Sequence, residues 1–185
     1  MPSIKHRSIN DKNDIRVKMA EYQKEKFEKQ SEDKKKNKQY IADLVNEFLE
    51  KIGITVNHDQ KFENIIPVKS KEENVKGRIS YSEIQKNSGI TRKEDIVWIK
   101  FNNSGCISVI GVGCDIYFTE KAKNETSAGK INQYLGEVWD DKEVLIFPLI
   151  NLDKTGFNRS DIESGIGNYL ISKGVPILDY YSHNY

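Results

Sequence analysis

DIVWIKFNNSGCISVIGVGCD, residues 95–115, decides the fold. Its first third is dense in β-branched and aromatic residues, the composition of a strand with a buried face. Asn102-Asn103-Ser104-Gly105 is hairpin-turn chemistry. A second strand, expected over residues 106–118, therefore folds back on the first. Within it Gly111 and Gly113 interrupt an apolar run, where glycine packs nothing and costs backbone entropy. By strand alternation Ile107, Val109, Gly111, Gly113 and Asp115 share one face. The two glycines mark either a bulge or a close approach of a helix, or else positions that have lost functional side chains.

Outward from the hairpin, Ile41, Leu44, Val45, Phe48, Leu49 and Ile52 recur at helical spacing. They predict an amphipathic helix over 39–52, stopped by Gly53. Residues 13–38 read as a polar helix with Ile15, Met19 and Tyr22 at helical spacing and a break or an exposed stretch at Lys34-Lys35-Lys36. This gives a basic helical N-terminal extension over 1–38 and an α/β core domain over 39–185. Further strands are expected at 54–56, 62–68, 78–81, 144–150 and 175–181. Further helices are expected at 82–87, 127–139 and 160–174. The 127–139 helix would carry Ile131, Tyr134, Leu135 and Val138 on one face. The 160–174 helix would be capped by Ser160, with Glu163 at the capping-box position. Gly165 and Gly167 would let that helix approach the sheet. A right-handed crossover would make the last two strands parallel. The fold class is α/β or α+β, with a single mixed sheet flanked by helices.

A chain of 185 residues, 37% hydrophobic and 31% charged, fits one soluble domain. The longest apolar run, 144–150, contains Pro148 and is far too short to cross a membrane. Lys5, His6, Arg7 and Asp11 leave no room for an apolar secretory segment. On one extended strand Cys106 and Cys114 stand about 26 Å apart, too far for a disulfide. Free thiols fit a cytoplasmic setting. The net charge of +1 conceals an asymmetry: residues 1–40 carry +5 and the remainder −4. A basic arm on an acidic body suits a nucleic-acid partner or a solvated helix.

An amphipathic helix, a strand, a hairpin opened by Asp95, a helix and a strand together resemble the core of the PD-(D/E)xK nuclease superfamily, to which many restriction endonucleases belong. The resemblance covers about residues 39–150. It implies a restriction-endonuclease-like fold and Mg²⁺-assisted cleavage of double-stranded DNA. Asp95 would be the first metal-binding acid, and Glu47 or Glu50 on the preceding helix an additional one. The family's E-x-K falls where Gly111 and Gly113 stand, and glycine offers neither a cation ligand nor a charge on the attacking water. Asp115 is the one ionisable group left on that face, so Asp95 and Asp115 are the candidate metal ligands. The expectation is a DNA-binding type II-like endonuclease or a catalytically impaired relative. Lys34, Lys35, Lys36, Arg92 and Lys93 would bind the nucleic acid.

Two rival readings stand beside this one. A non-enzymatic interaction protein, such as a phage or bacterial inhibitor of a defence system, suits the small size and the empty E-x-K positions. A helix-turn-helix regulator would use residues 79–100, with Gly89 in the turn and Thr91-Arg92-Lys93 opening the recognition helix. His6, His58 and His183 are scattered, and Cys114 reads as a small buried hydrophobe. Tyr180, Tyr181 and Tyr185 either offer aromatic area for a protein partner or a homodimer or cap the core.

Overall fold

The structure, a computed structural model, describes residues 9, 11–30, 34–54, 63–67, 78–79, 95–113, 116–117, 126–140 and 142–180. In chain order the elements are helices α1 (Ile15–Gln30) and α2 (Lys34–Lys51), then strands β1 (Ile65–Pro67), β2 (Arg78–Ile79), β3 (Asp95–Phe101), β4 (Ile107–Gly113) and β5 (Ile116–Tyr117). Helix α3 (Ser127–Tyr134), strand β6 (Glu143–Leu149) and helix α4 (Arg159–Ser172) follow, with a short 3₁₀ turn at Leu152–Lys154.

β3 is the central strand. It pairs antiparallel with β4 through the expected turn and antiparallel with β6, which carries β1 on its far side. Gly105 closes the turn at φ +84°, a conformation glycine adopts without strain, and its N–H bonds Asn102 O at 2.9 Å. The Asn102 side chain accepts from the Cys106 N–H at 2.9 Å. Val97, Ile99 and Phe101 point to one face, with Leu145, Phe147 and Leu149 of β6 and Ile110 of β4. α2 lays Ile41, Leu44, Val45 and Leu49 on that face, and α4 adds Ile162, Ile166 and Leu170. Each such burial contributes about 1.5–3 kcal/mol before chain entropy is subtracted.

The fold is α+β, with four strands in one sheet that is antiparallel throughout, not mixed. The expected closing strand at 175–181 makes a single parallel bridge, Ile177 to Ile107, with Leu178 N–H on Ile107 O at 2.9 Å. Pro176 has no N–H to extend the ladder. The second hairpin strand also stops early, at Gly113. Ile116–Tyr117 pairs instead with Arg78–Ile79 in a separate two-stranded ladder. Ser108 has no partner across β4 and β3, and its hydroxyl bonds Asn132 of α3 at 3.3 Å. α3 ends at Tyr134, not at Trp139, because the following segment turns to run beside the end of β3. Asp140 N–H bonds Phe101 O at 2.9 Å, which leaves Val138 64% exposed. Residues 80–94 lie outside the described part, and a recognition helix cannot run into residues 95–100, which belong to β3.

The N-terminal segment is built into the core. Val17, Ala20 and Phe27 of α1 belong to the same buried cluster as α2 and β3. Lys34–Lys36 are the first residues of α2, a helix separate from α1, and the 38/39 boundary falls inside it. Lys38 explains why: its ammonium is buried between Asp140 Oδ2 at 3.1 Å and Glu143 Oε2 at 2.8 Å, over the Phe101 ring. Lys100, fully buried, donates to the carbonyls of Asp140 and Glu143. Such cations persist in a core only when paired and hydrogen-bonded. Cys106 is a buried thiol, whereas Cys114 lies outside the described residues.

α1 is pinned to the hairpin by Glu137, whose Oε1 accepts from Lys24 Nζ and Ser104 Oγ. Burial pushes the Glu137 carboxyl up, but the bonds from Lys24 and Ser104 outweigh it and hold it below the usual glutamate range. Burial likewise lowers Lys24, and Glu137 more than restores it. The pair therefore stabilises the fold above the unfolded carboxyl value of about 4.3 and below the unfolded ammonium value of about 10.4. That contribution is lost as pH falls through the lowered Glu137 value or rises through the raised Lys24 value. Glu137→Gln is expected to cost about 1–3 kcal/mol at pH 7 in urea unfolding. The gap to wild type should shrink as pH drops below the ordinary glutamate range; a gap independent of pH would contradict this account.

Candidate functional site

Asp95 opens β3 opposite Leu149, so its side chain leaves the sheet on the face that carries α2 and α4. Arg159, the first residue of α4, meets it with a two-pronged bond: Nε to Oδ2 at 3.1 Å and Nη2 to Oδ1 at 2.5 Å. The Arg159 side chain is 53% exposed and that of Asp95 21%. The pair is thus a directional contact worth about 1 kcal/mol or less in stability.

The start of α4 sets the rest of the site. The cap is Asn158, two residues before the expected Ser160. Asn158 Oδ1 accepts from the Asp161 N–H at 3.0 Å, and Asp161 accepts from the Asn158 N–H at 2.8 Å. Asp161 therefore closes the capping box, and Glu163 takes another role. One turn beyond Arg159, Glu163 Oε2 accepts the N–H of Val112 at 3.2 Å, at the outer edge of β4. α4 thus brings Arg159 and Glu163 to the ends of β3 and β4, where sequence reasoning assigned them no functional role.

The structure does not bring the glycines to Asp95. Gly111 faces Trp98 and Gly113 faces Ile96 across the β3–β4 pair. Those even-numbered β3 residues point to the sheet face opposite Asp95. Gly111 is there for space. A Cβ on it would stand 2.8 Å from Trp98 Nε1 and closer still to Cε2 and Cζ2, so the indole lies where a side chain at 111 would be. Gly165 has a similar reason: its added Cβ would meet Phe48 Cζ at 2.8 Å, so this glycine admits α2 where the sequence suggested the sheet.

Glu47 lies elsewhere. It pairs with Lys51 one turn along α2, and Lys51 Nζ is 3.4 Å from the Tyr169 hydroxyl. The bond from Lys51, and then that from Tyr169, holds the Glu47 carboxyl below its ordinary range. Tyr169 stands about 15 Å along α4 from Arg159, so Glu47 and Asp95 are tied to opposite ends of that helix. Glu50 is exposed on α2. Asp115, Arg92 and Lys93 lie outside the described residues, as do the side chains of Lys34, Lys35 and Lys36.

Mg²⁺ requires open carboxylate oxygens held in common, close to octahedral. The described residues alone supply no such set, and Asp115, the expected second ligand, lies outside them. The Asp95 oxygens receive the Arg159 fork, a Glu163 oxygen receives a backbone N–H, and Glu47 is remote from both. Among the described residues no three His, Cys, Asp or Glu side chains group as a metal site, and no helix is long and apolar enough to cross a membrane.

Gly111→Ala is expected to cost about 1–3 kcal/mol by forcing the Trp98 ring aside. In a double-mutant cycle with Trp98→Leu, urea unfolding should show a coupling of at least about 0.5 kcal/mol. Strict additivity would mean that the ring does not dictate the glycine. Comparison with protein-family models, with curated proteins and with solved structures finds no match for this chain.

Proposed function

We propose that this chain binds nucleic acid and does not hydrolyse it. The observation that carries the reading is the Arg159 fork on Asp95, together with a register that turns Gly111 and Gly113 to the other sheet face, where the Trp98 ring fills the space over Gly111. A hydrolase of the type the sequence resembles needs the acid open to a cation and its companions on the same face. Here the acid is engaged by a guanidinium, and the companion positions lie on the other face, with Gly111 packed under Trp98. The positive excess in residues 1–40 over an acidic remainder supports a polyanionic ligand, since cation–phosphate attraction is the main source of sequence-independent binding.

A metal-dependent endonuclease is the second reading, favoured by one arrangement: Asp95 and Glu163 both reach the ends of the β3–β4 pair, with Arg159 one helical turn from Glu163. Incubating the protein with supercoiled plasmid in Mg²⁺ or Mn²⁺, beside gel shifts on duplex and single-stranded DNA, separates the two. The expected outcome is retention of nucleic acid that weakens with salt, and no nicking. Nicking by wild type that Asp95→Ala abolishes overturns the proposal in favour of the nuclease. Neither nicking nor retention overturns it in favour of a protein partner.

A further inference from the structure

α1 carries a feature that the Asp95 site does not use. Val17, Ala20, Gln23 and Phe27 face the core, and the outward half of the helix is divided by charge. At about 100° per residue, Lys18, Lys29, Tyr22, Ile15 and Lys26 fall within an arc of about 80°. Glu25, Glu21 and Glu28 fall in the neighbouring arc of about 60°. All eight residues are exposed, Ile15 at 60% and Tyr22 at 52%. Among the described residues no carboxylate lies within ion-pair distance of Lys18, Lys26 or Lys29, whereas Lys24, on the far side of the acidic row, has Glu137 and Glu28. Lys26 Nζ sits 4.5 Å from the centroid of the Tyr22 ring.

We propose that this strip of α1, Lys18–Tyr22–Lys26–Lys29, is the nucleic-acid surface and that its ligand is a single strand. The proposal rests on the binding reading above and deepens it. Lysines spread over about 17 Å of helix supply a row of cations for consecutive phosphates. An exposed aromatic ring in mid-row is a platform for an unpaired base, and the ammonium beside it adds to its attraction. Duplex bases are already stacked, so a duplex would use the cations and leave the ring idle. A duplex is also wider than the positive strip, so its phosphates would meet the row of Glu25, Glu21 and Glu28. A single strand can follow the positive row alone.

The test is fluorescence anisotropy with labelled oligo(dT) and with a duplex of the same length, using the full chain. Wild type should bind the single strand more tightly than the duplex. Tyr22→Ala should weaken single-strand binding about ten-fold or more, and Tyr22→Phe should retain it. Changing Lys18, Lys26 and Lys29 together to Gln should weaken binding and reduce the slope of log K against log salt by about 2. Changing Glu21, Glu25 and Glu28 to Gln should preserve or strengthen binding. Circular dichroism of each variant at the wild-type helix content guards against unfolding. Oligo(dT) binding that survives the triple lysine change, or a duplex preference that ignores Tyr22, overturns the strip while leaving the binding reading intact. Failure of wild type to bind either form overturns both and turns attention to an acidic protein surface.

Discussion

The register of β3 between β6 and β4 is the constraint on which the rest of the structure depends. Pairing Val97 with Phe147 and with Val112, and Trp98 with Ile146 and with Gly111, assigns every side chain of the sheet to one of two faces. A slip by one residue would exchange the faces, put Lys100 and Trp98 against the helices and turn Val97, Ile99 and Phe101 outward. The same register sends Asp95 toward α4 and the glycines away from it. The chemistry available at the strand ends is therefore a consequence of how the core is packed.

Helix α4 converts that register into a site. Its capping box fixes the first turn, Arg159 closes on Asp95, and Glu163 closes on Val112. Phe48 seated against Gly165 and Tyr169 sets the distance between α4 and α2. The far end of the sheet is closed by two buried lysines, one reaching from each layer. Lys38 meets the carboxylates of Asp140 and Glu143, and Lys100 their carbonyls. In the folded protein burial pushes the Asp140 carboxyl up, but bonds from the Lys142 N–H and from Lys38 keep it below its usual range. The sheet thus has an ion pair near solvent at one end and a buried polar lock at the other.

Much of this was legible before the structure. β3, its turn, the apolar stripe of α2 and the β6 run all form where local pattern placed them, because each is specified by residues adjacent in sequence. What was not legible involved a partner from far away. Nothing near Gly111 announces that Trp98 will lie across it. Nothing near Asp95 announces an arginine 64 residues later. The last strand fell short for the same reason: it runs in the expected direction, parallel to β6, but Pro176 limits it to one bridge on β4, and the four-stranded sheet stays antiparallel. The cap of α4 was a closer miss. Asn158 and Asp161 have the same spacing as Ser160 and Glu163, and choosing the later pair hid the reach of Glu163 to the sheet.

That reach has a consequence for the behaviour of many molecules together. A strand at the rim of a sheet offers its outward amides and carbonyls to any similar strand that passes, which is how fibres begin. On β4 two of those groups are plugged: Ile107 O by Leu178 and Val112 N–H by Glu163. At the opposite rim β1 is three residues long and ends in a proline with no amide to offer. Both borders of the sheet are therefore poor templates for polymerisation. One of the plugs at β4 is a side chain that comes free as soon as α4 lifts from the sheet, so protection against fibre growth lasts only as long as that helix stays docked.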